Sequence, residues 1–330
     1  MNRLISAAFL PALLFTCASG QQKPPGKPEG NREGAKASML RHEYAEVNGQ
    51  RLHYVTEGKG KLIMFVHGFP EFWYEWKNQL AEFGRDYEVV APDMRGYNLS
   101  SKPAEVDQYQ MKYLVEDLRA LAEKLGHKKF ILVAHDWGGA VAWAFAVAHP
   151  DRLEKLVIIN APHPGVFQRE LQKNPAQQKA SQYMLMFRSA QAEQTLSANN
   201  YAALVQAVLG EGLKTGVFSE ADKHAYIEAW SQPGALTGGL NYYRAARFGP
   251  PAGDDKQATN SAAASSLEVK VPTLVIWGEK DTALLTGNLE GLDKFVPNLT
   301  IKRIPDGTHW VIHEQPALIN QYIREFIKGR

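Results

Sequence analysis

Six short apolar runs, separated by stretches of helical character, constrain the fold of this 330-residue chain more than any other feature. From about residue 51 onward they read KLIMFVHGF, YEVVAPD, FILVAH, KLVIIN, PTLVIWG and LTIKRIP. Runs this short and this continuously apolar are typical of strands buried on both faces of a parallel sheet. Between them lie segments such as MKYLVEDLRALAEKLG, in which leucines recur at helical spacing and Gly126 closes the pattern. The alternation predicts an α/β fold with a mostly parallel, doubly wound sheet.

The alternation is interrupted between residues 161 and 250, where helical segments replace the strand-like runs. One of them, SEADKHAYIEAWSQPG, opens with a capping-box pattern at Ser219 and Asp222 and closes with Pro-Gly. The polar stretch GPPAGDDKQATNSAAASS then leads back to the strands, and we expect it to be a surface loop. The predicted organisation is a signal peptide (1–20), a flexible linker (21–40), a core (41–160), an inserted helical cap (161–250) and the rest of the core (251–330).

The first twenty residues, MNRLISAAFLPALLFTCASG, have the layout of a secretory signal peptide: an early Arg, an apolar stretch and then small residues. The apolar stretch is too short for a stable membrane span. We therefore expect an exported protein, periplasmic or secreted, that is cleaved after Gly20. The sequence LFTC is an imperfect lipoprotein box, so a lipid anchor on Cys17 is one alternative. Retention of the uncleaved protein in the cytosol is the other. Cys17 is the only cysteine, so the exported body would hold no disulfide.

The charge balance argues against polymeric partners. The chain carries 37 basic and 35 acidic residues, a formal net charge of +2, and no block of like charges. Such a surface produces no strong field that would attract nucleic acid or an anionic membrane. We therefore expect no nucleic-acid partner.

Three residues at predicted strand ends carry the candidate chemistry. The run ILVAHDWGGAVAW has the shape of a nucleophile elbow, a strand followed by a sharp turn and a Gly/Ala-rich helix, but it places Asp136 where Ser or Cys is usual. Asp281 directly follows LVIWGEK, and His309 lies in DGTHW after the last apolar run. Each residue alone has an ordinary explanation, such as a helix cap or a packed histidine. Nucleophile, acid and histidine in this order predict a catalytic triad.

The motif FVHGFPEFWYEW follows an early predicted strand. The loop at this place supplies one backbone N–H to an oxyanion hole, which predicts Phe69 as one donor and Trp137, next to the nucleophile, as the other. His67 would hold the loop and not react, and a purely structural turn is the alternative. The sequence leaves open whether the motif's aromatic residues line a pocket or pack in the core: Phe72, Trp73, Tyr74 and Trp76.

Several motifs together resemble the α/β-hydrolase epoxide hydrolases, from about residue 43 to the C-terminus: HGFPEFWYEW, DMRGYNLSSKP, HDWGG, NAPHPGVF, SQPGALTGGLNYYR and THW. The resemblance implies an α/β-hydrolase fold in which Asp136 attacks an epoxide carbon, without cofactor or metal. It also implies that two cap tyrosines assist ring opening, and by motif these are Tyr183 in SQYMLMF and Tyr243 in LNYYR. Tyr242 adjoins Tyr243, so the two could be exchanged in this assignment.

A carboxylate at the elbow suits this reaction. A serine would form an ether with the epoxide carbon, whereas Asp136 forms an ester that activated water hydrolyses. An aspartate is ordinarily ionised at neutral pH, which leaves His309 to deprotonate that water while Asp281 orients the imidazole. Phenols, with pKa values near 10, are suitable proton donors to the departing epoxide oxygen.

Two other functions compete with epoxide hydrolysis. Haloalkane and haloacid dehalogenases resemble the chain in fold and in their Asp nucleophile, but a halide needs N–H donors and no proton. The Phe69 side chain donates nothing, and the LNYYR motif favours an epoxide. The other alternative is a catalytically idle binding protein of the same fold, which the intact triad opposes.

The spacing of two histidines raises the question of a metal site. His309 and His313 stand four residues apart, but there is no Glu between them at the position that a zinc motif requires and no evident third ligand, so we predict none. The expected partners are a small epoxide and water. Aryl, terminal aliphatic and fatty-acid epoxides stay open, as does the oligomeric state.

Overall fold

The computed structural model of the protein describes residues 40–247, 249–250 and 267–329. The predicted signal peptide, residues 21–39 of the predicted linker and most of the predicted loop after residue 249 lie outside the described residues. The described strands form one sheet in the order β1-β2-β4-β3-β5-β6-β7-β8. They are β1 (Arg41–Val47), β2 (Gln50–Glu57), β3 (Leu62–Val66), β4 (Glu88–Pro92), β5 (Phe130–His135), β6 (Leu153–Ile159), β7 (Thr273–Gly278) and β8 (Leu299–Ile304).

The six predicted apolar runs form β3 to β8, and these strands are parallel to their neighbours, as the sequence indicates. The hairpin of β1 and β2 was not predicted as strands. It joins the sheet antiparallel, next to β4. Most side chains of β1 are exposed, so this edge strand has no continuous apolar run. The turn between β1 and β2 is Asn48-Gly49, with φ of 51° and 73°, a hairpin signal that the sequence does contain.

Helices cover both faces of the sheet, which confirms the doubly wound arrangement. On one face α1 (Lys77–Phe83) and α12 (Pro316–Lys328) pack against alternate strand residues such as Ile63 and Phe65. On the other face α2 (Met111–Lys124) and α3 (Asp136–Ala148) pack against Leu62 and Met64. Alternating side chains point to opposite faces of a strand, so each fully buried strand serves two cores.

Between β6 and β7, described residues 164–246 are mainly helical, in the segment where the sequence predicts an inserted cap. Its helices are α4 (Pro164–Lys173), α5 (Pro175–Ala180), α6 (Tyr183–Arg188), α7 (Ala192–Leu204, with non-helical dihedral angles at 198–201), α8 (Gly210–Thr215), α9 (Glu220–Ser231) and α10 (Ala235–Ala246). The predicted capping box is present at the start of α9, where the Ser219 backbone N–H donates to Asp222 Oδ2 over 2.7 Å. The short helix α11 (Val311–Glu314) precedes α12. Among the helices of the described residues, none combines the length and apolar character needed to cross a membrane.

Candidate active site

Asp136 is the first residue of α3 and occupies the sharp turn at which β5 passes into this helix. Its φ of 47° is in the left-handed region, which costs free energy for a residue with a side chain and is common at functional sites. The turn also brings the start of α3 against β3, because a Cβ on Gly138 would lie 2.2 Å from the carbonyl oxygen of Val66. The turn therefore projects the Asp136 carboxylate beyond the carboxyl ends of the parallel strands, where ligands bind in sheets of this type.

The loop after β3 presents a backbone donor to this carboxylate. The N–H of Phe69 donates to Asp136 Oδ1 over 2.8 Å. The neighbouring residue must be glycine for this approach, because a Cβ on Gly68 would lie 2.4 Å from the same oxygen. The predicted donor and the predicted nucleophile are thus in direct contact.

His67 and Trp137 flank this contact. His67 is fully buried, with Nδ1 2.9 Å from the Gly68 carbonyl oxygen and Nε2 accepting from the Met94 N–H over 3.0 Å. Burial lowers the pKa of His67, so the ring is neutral. It connects the loop after β3 with the loop after β4. The ring of Trp137 meets that of Tyr243 edge-on at a centroid distance of 5.0 Å.

His309 lies between Asp281 and Asp136. Its Nδ1 is 2.7 Å from Oδ2 of Asp281, and its Nε2 is 3.7 Å from Oδ2 of Asp136. Asp281 follows β7 and is held by further donors: the Asn160 side chain at 2.8 Å and the backbone N–H groups of Ala283 and Leu284 at 2.8 and 2.9 Å. Burial opposes ionisation of Asp281, but the His309 charge and these hydrogen bonds lower its pKa below the usual value.

Charge also determines the protonation of His309. Burial favours the neutral ring, but the carboxylates of Asp281 and Asp136 outweigh it and raise the pKa of His309 to about 9. The imidazole is therefore protonated at neutral pH.

The two predicted cap tyrosines face the same cavity as Asp136. Tyr183 lies at the start of α6 and Tyr243 in α10, with ring centroids 6.4 Å apart. Burial, together with nearby negative charge, raises the pKa of both phenols well above the usual value, so both keep their protons at neutral pH. Tyr242 is buried elsewhere and donates to the Arg95 carbonyl oxygen over 2.9 Å. The geometry therefore separates the two adjacent tyrosines and places Tyr243 in the cavity.

The cavity has a volume of about 580 Å³ and a mainly apolar lining. Cavities of this size enclose small organic ligands. Asp136, Trp137, Tyr183 and Tyr243 contribute to the lining. The aromatic residues of the Phe72–Trp76 stretch are not among its lining residues: Phe72 and Trp76 are buried in the core, and Trp73 and Tyr74 are partly buried against it.

Sequence reasoning missed the residues that hold His309 in place from behind. Asn160 ends the KLVIIN run, and its side chain bridges Asp281 and the Gly278 carbonyl oxygen. His135, directly before the nucleophile, places Nε2 2.9 Å from the His309 carbonyl oxygen. Their positions at strand ends are the only sequence signal for them.

One cluster has the spacing that a metal site needs. The ligand atoms of Glu71, Glu75 and His313 lie within 4.8 Å of one another. Glu71 already accepts a hydrogen bond from Tyr226 over 2.5 Å, and His313 Nε2 lies 3.1 Å from its other oxygen. We therefore assign no metal to this cluster.

Known proteins share this architecture. Residues 61–316 match the family model described as alpha/beta hydrolase fold. The chain is 39% identical to the AB hydrolase superfamily protein YfhM of Bacillus subtilis, over 87% of this chain and 98% of the relative. It is 37% identical to epoxide hydrolase 4 of Mus musculus, over 88% of this chain and 80% of the relative. The crystal structure of an epoxide hydrolase from Bacillus megaterium, determined with an inhibitor, superposes with a TM-score of 0.79 at 35% identity, covering 87% of this chain and all of that one.

The chain belongs to the α/β-hydrolase epoxide hydrolase family. It is therefore a hydrolase, and its partners include a small-molecule substrate and water. In this hydrolase the residues predicted from motifs, Asp136, Asp281 and His309, meet at one point below the cap, and Tyr183 and Tyr243 face them across the cavity.

Proposed function

We propose that the protein converts an epoxide into a vicinal diol through a covalent ester on Asp136. The observation that carries this proposal is that two phenols, Tyr183 and Tyr243, share a cavity with an ionisable nucleophile. A carboxylate supplies the attack, and protonated phenols supply the hydrogen that an epoxide oxygen needs on ring opening. The membership of the chain in the epoxide hydrolase family supports the same reaction.

In the first step Oδ2 of Asp136 attacks an epoxide carbon, and the carbon–oxygen bond of the ring breaks. Oδ1 is the oxygen that the Phe69 N–H holds at 2.8 Å, which leaves Oδ2 as the attacking atom. Tyr183 or Tyr243 donates a proton to the released oxygen, and the other phenol stabilises it by a hydrogen bond. The product of this step is a hydroxyalkyl ester.

In the second step the ester is hydrolysed. Alkylation removes the negative charge of Asp136, which is one cause of the raised pKa of His309. His309 then loses its proton more readily, and that proton restores the tyrosinate left by ring opening. The neutral ring takes a proton from water, and Asp281 stabilises the resulting imidazolium. Water attacks the ester carbonyl carbon, and the negative charge develops on Oδ1, where the Phe69 N–H already points. We propose the backbone N–H of Trp137 as the second donor to Oδ1. On collapse of this intermediate the ester carbon–oxygen bond breaks, the hydroxyl proton of the intermediate passes to the departing oxygen, and the diol leaves Asp136 as a carboxylate.

Isotope transfer in one catalytic cycle tests this route. With enzyme in excess over epoxide in ¹⁸O-labelled water, the first diol should contain no label, because its new oxygen comes from Asp136. The label should appear in the peptide that contains Asp136, measured by mass spectrometry. Label found directly in the first diol would contradict the ester mechanism.

Carbon–halogen cleavage is the second candidate, favoured only by the Trp137 ring beside the nucleophile, which could donate to a halide. A panel of aryl, terminal aliphatic and fatty-acid epoxides, assayed beside haloalkanes and haloacids, separates the two functions. We expect diol from at least one epoxide and no halide release. Halide release without diol formation would favour the dehalogenase, and no turnover with any compound would favour a binding protein.

We also propose export of the enzyme, on the composition of its first twenty residues alone. The mass of the mature protein tests it, because cleavage after Gly20 removes Cys17 and lipidation retains it.

A further inference from the structure

A chain of buried polar groups lies behind His309, on the side away from the cavity. It runs from the His309 carbonyl oxygen to His135 Nε2, at 2.9 Å, and from His135 Nδ1 to Glu75 Oε1, at 2.5 Å. His135 is 1% exposed and Glu75 is not exposed at all. Glu75 belongs to the HGFPEFWYEW motif but does not reach the cavity.

The direction of these contacts fixes the position of one proton. A carbonyl oxygen only accepts, so Nε2 of His135 must carry hydrogen. Burial, with the charge of His309, lowers the pKa of His135 to about 3, so the ring holds no second proton and Nδ1 presents a lone pair. If Glu75 were ionised, a lone pair of its Oε1 would face the lone pair of His135 Nδ1 at 2.5 Å, and the two would repel each other. Neither carboxylate oxygen of Glu75 nor Nδ1 of His135 forms a hydrogen bond in the structure, although Oε1 and Nδ1 lie only 2.5 Å apart; a protonated Glu75 would donate its O–H to Nδ1.

The surroundings of Glu75 also oppose its ionisation. Complete burial penalises the charged form, and the carboxylates of Glu71 and Asp136 add repulsion, which together raise the pKa of Glu75 well above its usual value. The charges of His313 and His309 lower the pKa of Glu75, but each ring is already paired with another carboxylate. His313 pairs with Glu71 at 3.1 Å, and His309 pairs with Asp281.

We propose that Glu75 is a positioning residue: as a neutral carboxylic acid it fixes the tautomer of His135, which in turn holds the His309 backbone and so aims the imidazole. The proposal rests on the function proposed above only for its kinetic consequence. Attack by Asp136 does not use His309 as a base, whereas ester hydrolysis requires Nε2 within one water of the ester carbon. Loss of the Glu75 proton donor therefore slows hydrolysis more than alkylation.

Spectroscopy tests the proton without any turnover. Infrared difference spectra between the wild type and Glu75→Gln should show the carbonyl stretch of a protonated carboxylic acid only in the wild type. In ¹⁵N-histidine-labelled protein, assigned with His135→Gln, His135 should show a protonated Nε2 and an unprotonated Nδ1. These two signals are expected whether or not an epoxide is turned over, so failure of the proposed function and failure of this inference are distinguishable.

Kinetics test the positioning role, with the epoxide that the panel identifies as a substrate. Glu75→Met removes the donor at similar volume, and we expect ester hydrolysis to slow about 10²-fold while alkylation changes little. Glu75→Gln should restore most of the hydrolysis rate and the wild-type pH profile, since its amide N–H donates to Nδ1 as the neutral acid does. Glu170→Gln is the matched control: a buried cap glutamate bonded to Arg169 and Asn174, whose change should leave the ratio of the two rates unaltered.

Three results would overturn the inference. The first is an ionised Glu75, seen as the absence of the acid band or as an altered pH profile in Glu75→Gln. The second is an equal slowing of both steps in Glu75→Met and Glu75→Gln with a lowered Tm, which indicates packing alone. The third is a stoichiometric metal ion that depends on Glu75, since a cation at Glu71, Glu75 and His313 would require ionised carboxylates.

Discussion

Nε2 of His309 stands 3.7 Å from Oδ2 of Asp136, beyond hydrogen-bond distance, while Nδ1 of the same ring stands 2.7 Å from Asp281. The imidazole thus lies between two carboxylates that behave differently in the proposed cycle. Asp281 keeps its charge throughout the proposed cycle, whereas Asp136 loses its charge when it is alkylated. In the proposed cycle, the charge of Asp136 therefore helps to keep His309 protonated until the ester has formed.

The first prediction concerns this electrostatic coupling. Asp136→Asn removes one of the charges that raise the pKa of His309 to about 9, so the pKa should fall in the variant. Titration of the His309 ring by NMR measures it, with Asp306→Asn as a control at an exposed carboxylate outside the site. An unchanged pKa in Asp136→Asn would mean that Asp281 alone sets the protonation of His309.

The raised pKa of His309 also predicts how the stability of the fold depends on pH. A folded-state pKa above the unfolded value of about 6.5 means that protonation of His309 stabilises the fold. This contribution is complete below about pH 6.5 and is lost as the pH rises through about 9. Denaturant unfolding at a series of pH values should show the loss in the wild type and a smaller one in Asp136→Asn. Parallel curves for the two proteins would contradict the linkage.

The next prediction is an accumulated intermediate. His309→Gln removes the base of the second step, so hydrolysis should slow by about 10²-fold or more while Asp136 still attacks. Rapid quenching and mass spectrometry should then find the substrate mass added to the peptide that contains Asp136. The double variant Asp136→Ala/His309→Gln is the control and should carry no adduct. Unmodified protein after incubation of His309→Gln with substrate would argue against the covalent route.

Ring opening should depend on the two cavity phenols. We expect Tyr183→Phe and Tyr243→Phe each to slow alkylation by about 10²-fold, and the double variant to abolish it nearly completely, because no proton then reaches the epoxide oxygen. The rate of adduct formation in a single turnover measures the effect. Retained activity in the double variant would show that other groups are the acids.

Tyr242→Phe is the matched control for this series. Its hydroxyl donates to the Arg95 carbonyl oxygen and does not reach the cavity. The substitution should cost about 1 kcal/mol of unfolding free energy and leave the rate of ring opening unchanged. A slowing equal to that of Tyr243→Phe would mean that the hydroxyl groups of α10 act through the fold of the cap.

The strand ends of the parallel sheet were the most predictable part of the molecule. Continuous apolar runs identify strands that are buried on both faces, and the polar residues that follow them meet at one edge, which brought Asp136, Asp281 and His309 together from a sequence separation of 173 residues. The β1–β2 hairpin escaped this reasoning because its exposed edge requires no apolar run.

The groups around Asp136, Asp281 and His309 could not be identified from the sequence. Glu75 looks like one more charged residue in an aromatic motif, and only the fold shows it fully buried 2.5 Å from His135. Tyr183 and Tyr243 were identified by resemblance, because nothing in the pattern of 13 tyrosines marks the two that face the cavity. Such roles depend on which side of a helix faces the core, and adjacent residues differ by about 100°.

The last prediction concerns the contact that seats α10 on the core. A Cβ on Gly238 would lie 2.3 Å from the carbonyl oxygen of Gly96, so Gly238→Ala must displace α10 and with it Tyr243. We expect ring opening to slow by about 10²-fold in single-turnover assays. Gly126→Ala is the control, because its φ of 89° strains the backbone by about 1–2 kcal/mol while its new Cβ meets nothing within 4 Å. It should lower Tm and leave ring opening unchanged. If Gly238→Ala opens the ring at the wild-type rate, this close contact does not position Tyr243.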